Sequence, residues 1–287
     1  MPNKQHIVVI IPVYKPINKL KSFESLSISN TIKVLGKNHP IYLIHPNHLA
    51  IDQYSNYFDF PFHHKAFDDQ YFTDQLGYNR LCLTTSFYAS WSDFSYMMII
   101  QTDAYIFRDE IAYFTQYDYV GAPWPVSPLI FYSTTGVPAV GNGGFSLRKI
   151  SSVIEILSSN KKLLGFDEMR RMIFIHQTKK RNLKQLSKYQ KAIYFAQTVY
   201  IYLFLNAFNK AYKMDYFFED VLLGIIGGAL FEEFQVAPVE EAMKFAFEQN
   251  PSEMFASTQQ TLPMGCHAFN CHEPEFWKKH IPKLQID

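Results

Sequence analysis

Residues 97–105 read Met-Met-Ile-Ile-Gln-Thr-Asp-Ala-Tyr. Four consecutive apolar residues, Met97 to Ile100, carry the pattern of a strand buried on both faces. The run stops at Gln101-Thr102-Asp103, where a parallel strand would end. In an open α/β sheet, ligands sit in the crevice beyond the carboxyl ends of the strands. A carboxylate fixed there can hold a divalent cation against a phosphate, and Asp103 is the candidate for that task. A strand followed by an Asp turn is the commoner meaning of the same letters.

The neighbouring sequence supplies a sheet around this strand. His6 to Val13 is a near-continuous β-branched run ended by Pro12 and Pro16, which predicts a central parallel strand. Residues 18 to 35 place Leu20, Phe23, Leu26, Ile28, Ile32 and Leu35 at roughly helical spacing. Ile41 to Ile44 predicts a second strand, and strand–helix–strand order implies a right-handed parallel crossover. Ile51 to Asp74 is aromatic and irregular. Tyr78 to Trp91 reads as one helix leading into the 97–100 strand. Beyond Asp103 the pattern predicts a short helix over Arg108 to Tyr117, a strand over Asp118 to Ala122 and a helix over Ile150 to Leu157. It closes with a short strand over Phe234 to Ala237 and a helix from Pro238 through Phe247. The expected class is α/β, with a mostly parallel, Rossmann-like central sheet flanked by helices.

At 287 residues the chain is long enough for one large domain or two small ones, and a single domain over 1–287 is the expectation. Hydrophobic residues make up 48%, too many for a disordered chain. The formal net charge of +1 gives no global nucleic-acid footprint. Three cysteines at irregular spacing make no disulfide framework, and a reducing cytosol fits best. The N-terminal apolar run goes straight into a proline and lacks a cleavage site, unlike a secretory signal. Aromatic residues reach 17%; sugar sites favour aromatic platforms, but a general bias in composition explains the figure as well.

Charge is unevenly placed. Arg170 to Lys213 holds ten Lys or Arg and no Asp or Glu, which leaves 17 of the 27 basic residues beside 26 acidic ones elsewhere. Within it, Ala192 to Phe208 is apolar and aromatic but shorter than a membrane span. A helical basic insertion over 168–214 is expected. It suits either an anionic membrane surface or packing against the domain with a solvated basic face.

Three further stretches carry candidate chemistry. Gly141 to Arg148, GNGGFSLR, has three glycines in four residues, as where backbone approaches a ligand closely or takes positive φ; a hairpin or bulge is the plain alternative. Glu219-Asp220 opens an apolar helix, where the dipole favours negative charge; an ordinary N-terminal cap is the plain meaning, and either acid can also serve as general base for an acceptor hydroxyl. His267 follows a Pro-Met-Gly turn and can complete a cation site with Asp103. Imidazole plus carboxylate suits manganese or a similar ion.

The set IIQTDAYIF, DYVGAPW, GNGGFSLRK, FFEDV and PMGCHAF, in this order, resembles a family of bacterial glycosyltransferase-like proteins. That family is encoded among surface-polysaccharide genes and was long carried as a domain of unknown function. The resemblance runs from IPVYKP (11–16) to Trp277. It extends to GT-A-fold nucleotide-sugar transferases, which hold a metal at an Asp-x-Asp strand end and place an acidic pair at a helix start. By that resemblance Asp103 matches the last Asp of the motif and binds the metal, Mn2+ or Mg2+, with His267. Gln101 stands where the first Asp would be, which puts strict metal dependence in doubt. Asp220 would be the base and Glu219 would orient the acceptor. Pro12, Val13 and Tyr14 would seat the nucleotide base. Tyr78, Asn79 and Arg80 would reach ribose or phosphates beside Gln101, Thr102 and Asp103, with a structural ion pair as the alternative for Arg80. Asn142, Gly143 and Gly144 would lie at the donor or acceptor sugar, and Met264 would add a thioether contact or pack the turn.

The function implied is metal-assisted transfer of a sugar from a nucleotide-diphosphate-sugar, UDP-linked by preference, to a hydroxyl of a cell-surface glycan or glycolipid such as lipopolysaccharide. Inversion is expected for a single displacement, with retention as the other outcome. A cytoplasmic location, peripheral at the inner face of the cytoplasmic membrane, goes with it. Competing readings are a non-catalytic sugar-nucleotide or glycan-binding module with a degenerate metal motif, and a zinc site at Cys266, His267, Cys271 and His272. A nucleic-acid binder ranks last for want of a reading motif.

Overall fold

The computed structural model describes residues 7–124, 139–180 and 187–286, with the side chains of 177–180 also left aside. His6, Arg181 and Lys184 fall outside the described residues.

The first strand, β1 (Ile7–Pro12), is buried at all six positions. It ends where Pro12 removes a ladder donor. Helix α1 (Ser22–Leu35) starts on a capping box, with the Glu24 carboxylate accepting from the Lys21 amide at 2.8 Å. Then come β2 (Ile41–Pro46), α2 (Asp52–Phe58) and β3 (His63–Phe67). The irregular reading of 51–74 is thus corrected. β3 is a half-exposed edge strand, and its HHKAF sequence lacks the apolar run that marks a buried one.

The single helix expected over 78–91 is two: α3 (Gln75–Cys82) and α4 (Thr85–Ala89). Asp74 caps the first through the Gly77 amide, and Thr84 starts the second by capping Phe87. β4 (Tyr96–Ile100) follows, with its last four residues buried. β5 (Tyr105–Ile106) leads to α5 (Ile111–Phe114), a single turn rather than the longer helix expected over 108–117. Next are β6 (Tyr119–Gly121), β7 (Pro123–Trp124), β8 (Ala139–Val140), β9 (Phe145–Lys149) and α6 (Ile150–Ser158).

The basic stretch contains α7 (Phe166–Lys180) and α8 (Lys188–Phe204). α9 (Glu219–Val221) runs into a π-helical stretch, Leu222–Gly227, and α10 (Gly228–Leu230). Residues 234–237 form no strand; Val236 makes one isolated bridge to Tyr119. α11 (Val239–Phe245), β10 (Ala246–Phe247), α12 (Pro251–Ser257), β11 (Gly265–Cys266) and α13 (Pro274–His280) complete the chain.

The main sheet has the order β3-β2-β1-β4-β9-β6. β3, β2, β1 and β4 are mutually parallel, and β9 runs antiparallel between β4 and β6. The reversal has a positional effect: the beginning of β9, not its end, lies beside the carboxyl end of β4. The Gln101 amide donates to the Gly144 carbonyl at 2.7 Å across that junction. A second sheet, β10-β11-β5, packs on its own apolar cluster, which contains Phe23, Tyr105, Phe247, Phe269 and Trp277. It carries the chain after β11 back to the end of β4.

Candidate active site

The two sheets meet at the segment between β4 and β5. The pairing of β5 with β11, together with a bond from the His267 amide to the Phe247 carbonyl at 3.0 Å, fixes the backbone of His267. Its Nε2 lies 3.3 Å from Asp103 Oδ1 and 3.2 Å from Gln101 Oε1. Its Nδ1 lies 2.9 Å from Glu248 Oε1, and the second Glu248 oxygen accepts from Trp124 Nε1 at 2.7 Å. Burial opposes the charged imidazole, but the two flanking carboxylates outweigh it and raise its pKa to about 10. Burial pushes Asp103 and Glu248 up, and His267 more than reverses this, so both stay below the usual carboxylate range.

A cation fits this corner by donor chemistry once it displaces the proton on His267 Nε2. An imidazole nitrogen, a carboxylate oxygen and an amide oxygen converge, and a carboxylate behind the imidazole fixes its orientation, as is usual around metal-bound histidine. Among the described residues, no group of three or more His, Cys, Asp or Glu is arranged to hold a metal. Ligation by the chain alone would therefore be sparse, and oxygens from outside the chain would have to complete it. The same finding leaves the zinc alternative at 266–272 without a cage. Met264 is fully buried behind the turn.

The acidic pair approaches from the other side. Both Asn79 amide groups hold the chain that leads into α9: Nδ2 donates to the Phe217 carbonyl at 2.8 Å and Oδ1 accepts from the Glu219 amide at 2.6 Å. Glu219 Oε1 is 3.0 Å from Nη2 of Arg148, a guanidinium with no exposed surface. Arg148 also donates to Tyr88 Oη, Ser146 Oγ and the Gly143 carbonyl, so its donors are well used. Asp220 Oδ1 accepts from the Val221 amide at 2.7 Å and Oδ2 from the Gly143 amide at 3.1 Å. Burial, aided by the neighbouring Glu219, pushes the Asp220 carboxyl up to about 7.

The glycine loop joins the two halves. A Cβ on Gly143 would lie 2.0 Å from Glu219 Oε1, and one on Gly144 would lie 2.0 Å from His267 Nε2. Neither contact is possible for a real side chain, so the paired glycines let a carboxylate and an imidazole rest on adjacent peptide units. Asn142 takes φ 66°, and its Oδ1 accepts from the amides of Gly144 and Phe145. Its Nδ2 is buried with no protein partner.

Gln101, Trp124, Asn142, Gly143, Gly144, Glu219, Asp220, Glu248 and His267 line one cleft of about 330 Å³; Asp103 and Arg148 are not among its walls. An adjoining cleft of the same volume is lined by Tyr14, Phe72, Thr73, Asp74, Gln75, Tyr78 and Gln101. Tyr78 and Asn79 line the first cleft, but Asn79 spends its polar groups on the backbone. Pro12 and Val13 are buried behind Tyr14. The Thr102 hydroxyl turns away to Glu24 at 3.1 Å. Arg80 lines neither cleft; it pairs with Asp215 at 2.6 Å, the structural alternative for that residue.

Sequence reasoning missed Glu248, Arg148, Trp124 and the pair formed by Lys15 and Glu24 at 2.7 Å. Glu248 had a local signal, since it is an acid directly after the short apolar run Ala246-Phe247.

The family model for proteins described as "Protein of unknown function (DUF5672)" matches residues 61–267, well over half of the sequence. The chain belongs to that family. No curated protein matches it. Among solved structures the chain is similar to mouse xyloside xylosyltransferase 1 in its apo form, at 10% identity and a TM-score of 0.47, over 91% of this chain and 97% of that one. It is similar to the glycosyltransferase GlyE of Streptococcus pneumoniae TIGR4 at 11% identity and a TM-score of 0.43, covering 97% of this chain and 61% of that one. It is also similar to the S. cerevisiae mannosyltransferase Ktr4p in complex with GDP, at 9% identity and a TM-score of 0.40, over 76% of this chain and 68% of that one. The chain thus spans about three fifths of the GlyE chain. The fold is mixed α/β, with a mostly parallel central sheet flanked by helices.

Proposed function

We propose that the protein is a glycosyltransferase acting from residues 1–287 as one catalytic unit, with 168–214 as an insertion. It moves a sugar from a nucleoside-diphosphate-sugar, UDP-linked by preference, to a hydroxyl of a glycan or glycolipid. One observation carries this reading: a carboxyl with its pKa near 7, Asp220, lines the same cleft as Gln101 and His267, the partner of Asp103, with Gly143 and Gly144 between them. A base poised near neutral pH matches the task of taking a proton from an attacking hydroxyl.

In this mechanism the nucleoside lies in the cleft beside Tyr14 and Tyr78, and the sugar lies over Gly143 and Gly144. Asn142 Nδ2 offers a donor to the sugar, and Trp124 and Phe218 offer aromatic walls. Asp220 takes the acceptor proton as the hydroxyl oxygen bonds to the anomeric carbon. The bond from that carbon to the diphosphate oxygen breaks, and the nucleoside diphosphate leaves with its electron pair. Arg148 holds Glu219 in place, so Glu219 can orient the acceptor without leaving its partner. Asp103, Gln101 and His267 would hold a divalent cation, Mn2+ or Mg2+, which when bound neutralises charge on the leaving diphosphate. A single displacement gives inversion.

The test is Asp220→Asn, with transfer measured over a panel of nucleotide-sugars and donor affinity measured by calorimetry. Transfer should be abolished while donor affinity stays within about threefold, since the base acts on the acceptor. Equal loss of both would remove Asp220 from the role.

A further inference from the structure

Among the described residues, twelve large apolar side chains are exposed, and six of them belong to α8: Tyr189, Ile193, Phe195, Tyr200, Leu203 and Phe204. The concentration is not what a solvated helix shows, because such a helix carries charge on its outer arc. Tyr189, Ile193, Tyr200 and Phe204 fall within an arc of about 60° at 100° per residue. Their exposures run from 45% for Ile193 to 75% for Tyr189. The buried positions Tyr194, Thr198 and Ile201 lie on another arc, roughly 120° round the helix. α8 therefore has two apolar sides, and only one of them is buried against the described residues.

Charge identifies what covers the second. Lys188 and Lys191 are exposed on the first turn of α8, on the flank that also carries the exposed Phe195, and Lys213 is exposed nine residues past the helix end. No Asp or Glu occurs anywhere from 169 to 214, while ten Lys or Arg do. A helix with a bulky aromatic face, cationic flanks and no acid is the pattern of an interfacial helix lying in the plane of an anionic bilayer. No helix among the described residues is long and apolar enough to cross a membrane, so the contact is with the surface. Tyr200 and Tyr189 suit the headgroup level, where one end of the ring is apolar and the other wet.

We infer that α8 is a docking face for an anionic lipid surface, with Tyr189, Ile193, Tyr200 and Phe204 entering the interface and Lys188, on its flank, reaching lipid phosphates while the other cations of the stretch add long-range attraction. The inference goes beyond the transferase reading and stands without it, since it uses no cleft residue. If both hold, the docked helix keeps the enzyme at the surface where glycolipid acceptors reside.

The experiment is flotation of the full-length protein with vesicles of phosphatidylcholine and phosphatidylglycerol in equal parts, and with phosphatidylcholine alone. Soluble-donor hydrolysis is followed in parallel without vesicles. The wild type should float with the anionic vesicles and much less with neutral ones, and binding should weaken in high salt. The combined variant Tyr189→Ser, Ile193→Ser, Tyr200→Ser, Phe204→Ser should lose more than about tenfold in vesicle partition. Its melting temperature and donor hydrolysis should be unchanged. The pair Lys188→Glu and Lys191→Glu, which leaves the apolar arc intact, should lose binding to anionic vesicles specifically. Equal flotation of the wild type and the serine variant overturns the inference. So does a wild type that binds no vesicle and instead forms a dimer that the serine substitutions dissolve, for then a second copy covers the face. Loss of donor hydrolysis in the wild type speaks against the transferase reading alone.

Discussion

Replacing Asp220 by asparagine should stabilise the protein at alkaline pH while abolishing its chemistry. The Asp220 carboxyl is raised from 3.8 to about 7, by burial first and by Glu219 second. Between those two values the native state binds a proton that the unfolded chain has released. Stability therefore falls as pH rises through this window, and the full penalty is present above about 7. At about 1.4 kcal/mol per pKa unit, a shift of roughly three units is worth on the order of 4 kcal/mol. Asparagine removes that penalty but presents only one acceptor oxygen. The amides of Val221 and Gly143 both point at the present carboxylate, so one of them loses its partner at a cost of about 1–3 kcal/mol. The net gain at pH 8 is about 1–3 kcal/mol, or several degrees in melting temperature at roughly 2–4 °C per kcal/mol. Scanning calorimetry at pH 8 and pH 5 reads it. The variant should melt higher at pH 8, and its advantage should shrink by more than half at pH 5. A variant that melts lower at pH 8, or an advantage independent of pH, refutes the reasoning.

For wild-type protein, kcat/KM for transfer should fall about tenfold per pH unit below pH 7, because the base must be ionised; a flat profile down to pH 5.5 removes that requirement. Gly144→Ala drives a methyl to 2.0 Å from His267 Nε2, and the ring is pinned behind by Glu248, so turnover should drop on the order of a hundredfold with the circular dichroism spectrum unchanged. Glu248→Gln should weaken Mn2+ binding, measured by calorimetry, about 10–100-fold; if a chelator leaves donor binding and turnover untouched, the cation assignment of Asp103 and His267 is wrong. Arg148→Met strands the Glu219 carboxylate in a buried site and should cost about 3–5 kcal/mol in urea unfolding. Adding Glu219→Gln should restore most of it, and failure to do so would show that the pair is not what the arginine supports.

The parallel part of the sheet was legible because β1, β2 and β4 are nearly unbroken apolar runs, and burial on both faces demands that. β9 was not read as a strand, because Phe145-Ser146-Leu147-Arg148 places a serine and an arginine in its middle. Both are fully buried, and only their tertiary partners make that tolerable. The break at Leu83-Thr84 was written in the sequence as a capping threonine but was overridden by the apolar spacing on either side. In the candidate site, Asp103, Asp220, His267 and the glycines announce themselves as polar or flexible residues at the ends of apolar runs. Glu248 has the same signal after a run of only two residues, and Arg148 has none, for its meaning lies in a contact across 71 positions. Sequence spacing carries no record of that distance.

The occupied amides of residues 143 to 145 bear on inhibitor design. A glycine-rich turn invites comparison with phosphate cradles, where successive N–H groups point at an anion. Here Gly143 gives its hydrogen to Asp220, and Gly144 and Phe145 give theirs to Asn142. A diphosphate mimic extended toward this turn would meet amide N–H groups whose hydrogens are already in use. Negative charge is better aimed at the Gln101–Asp103–His267 corner, and a sugar-like hydroxyl group at the unspent Asn142 amide.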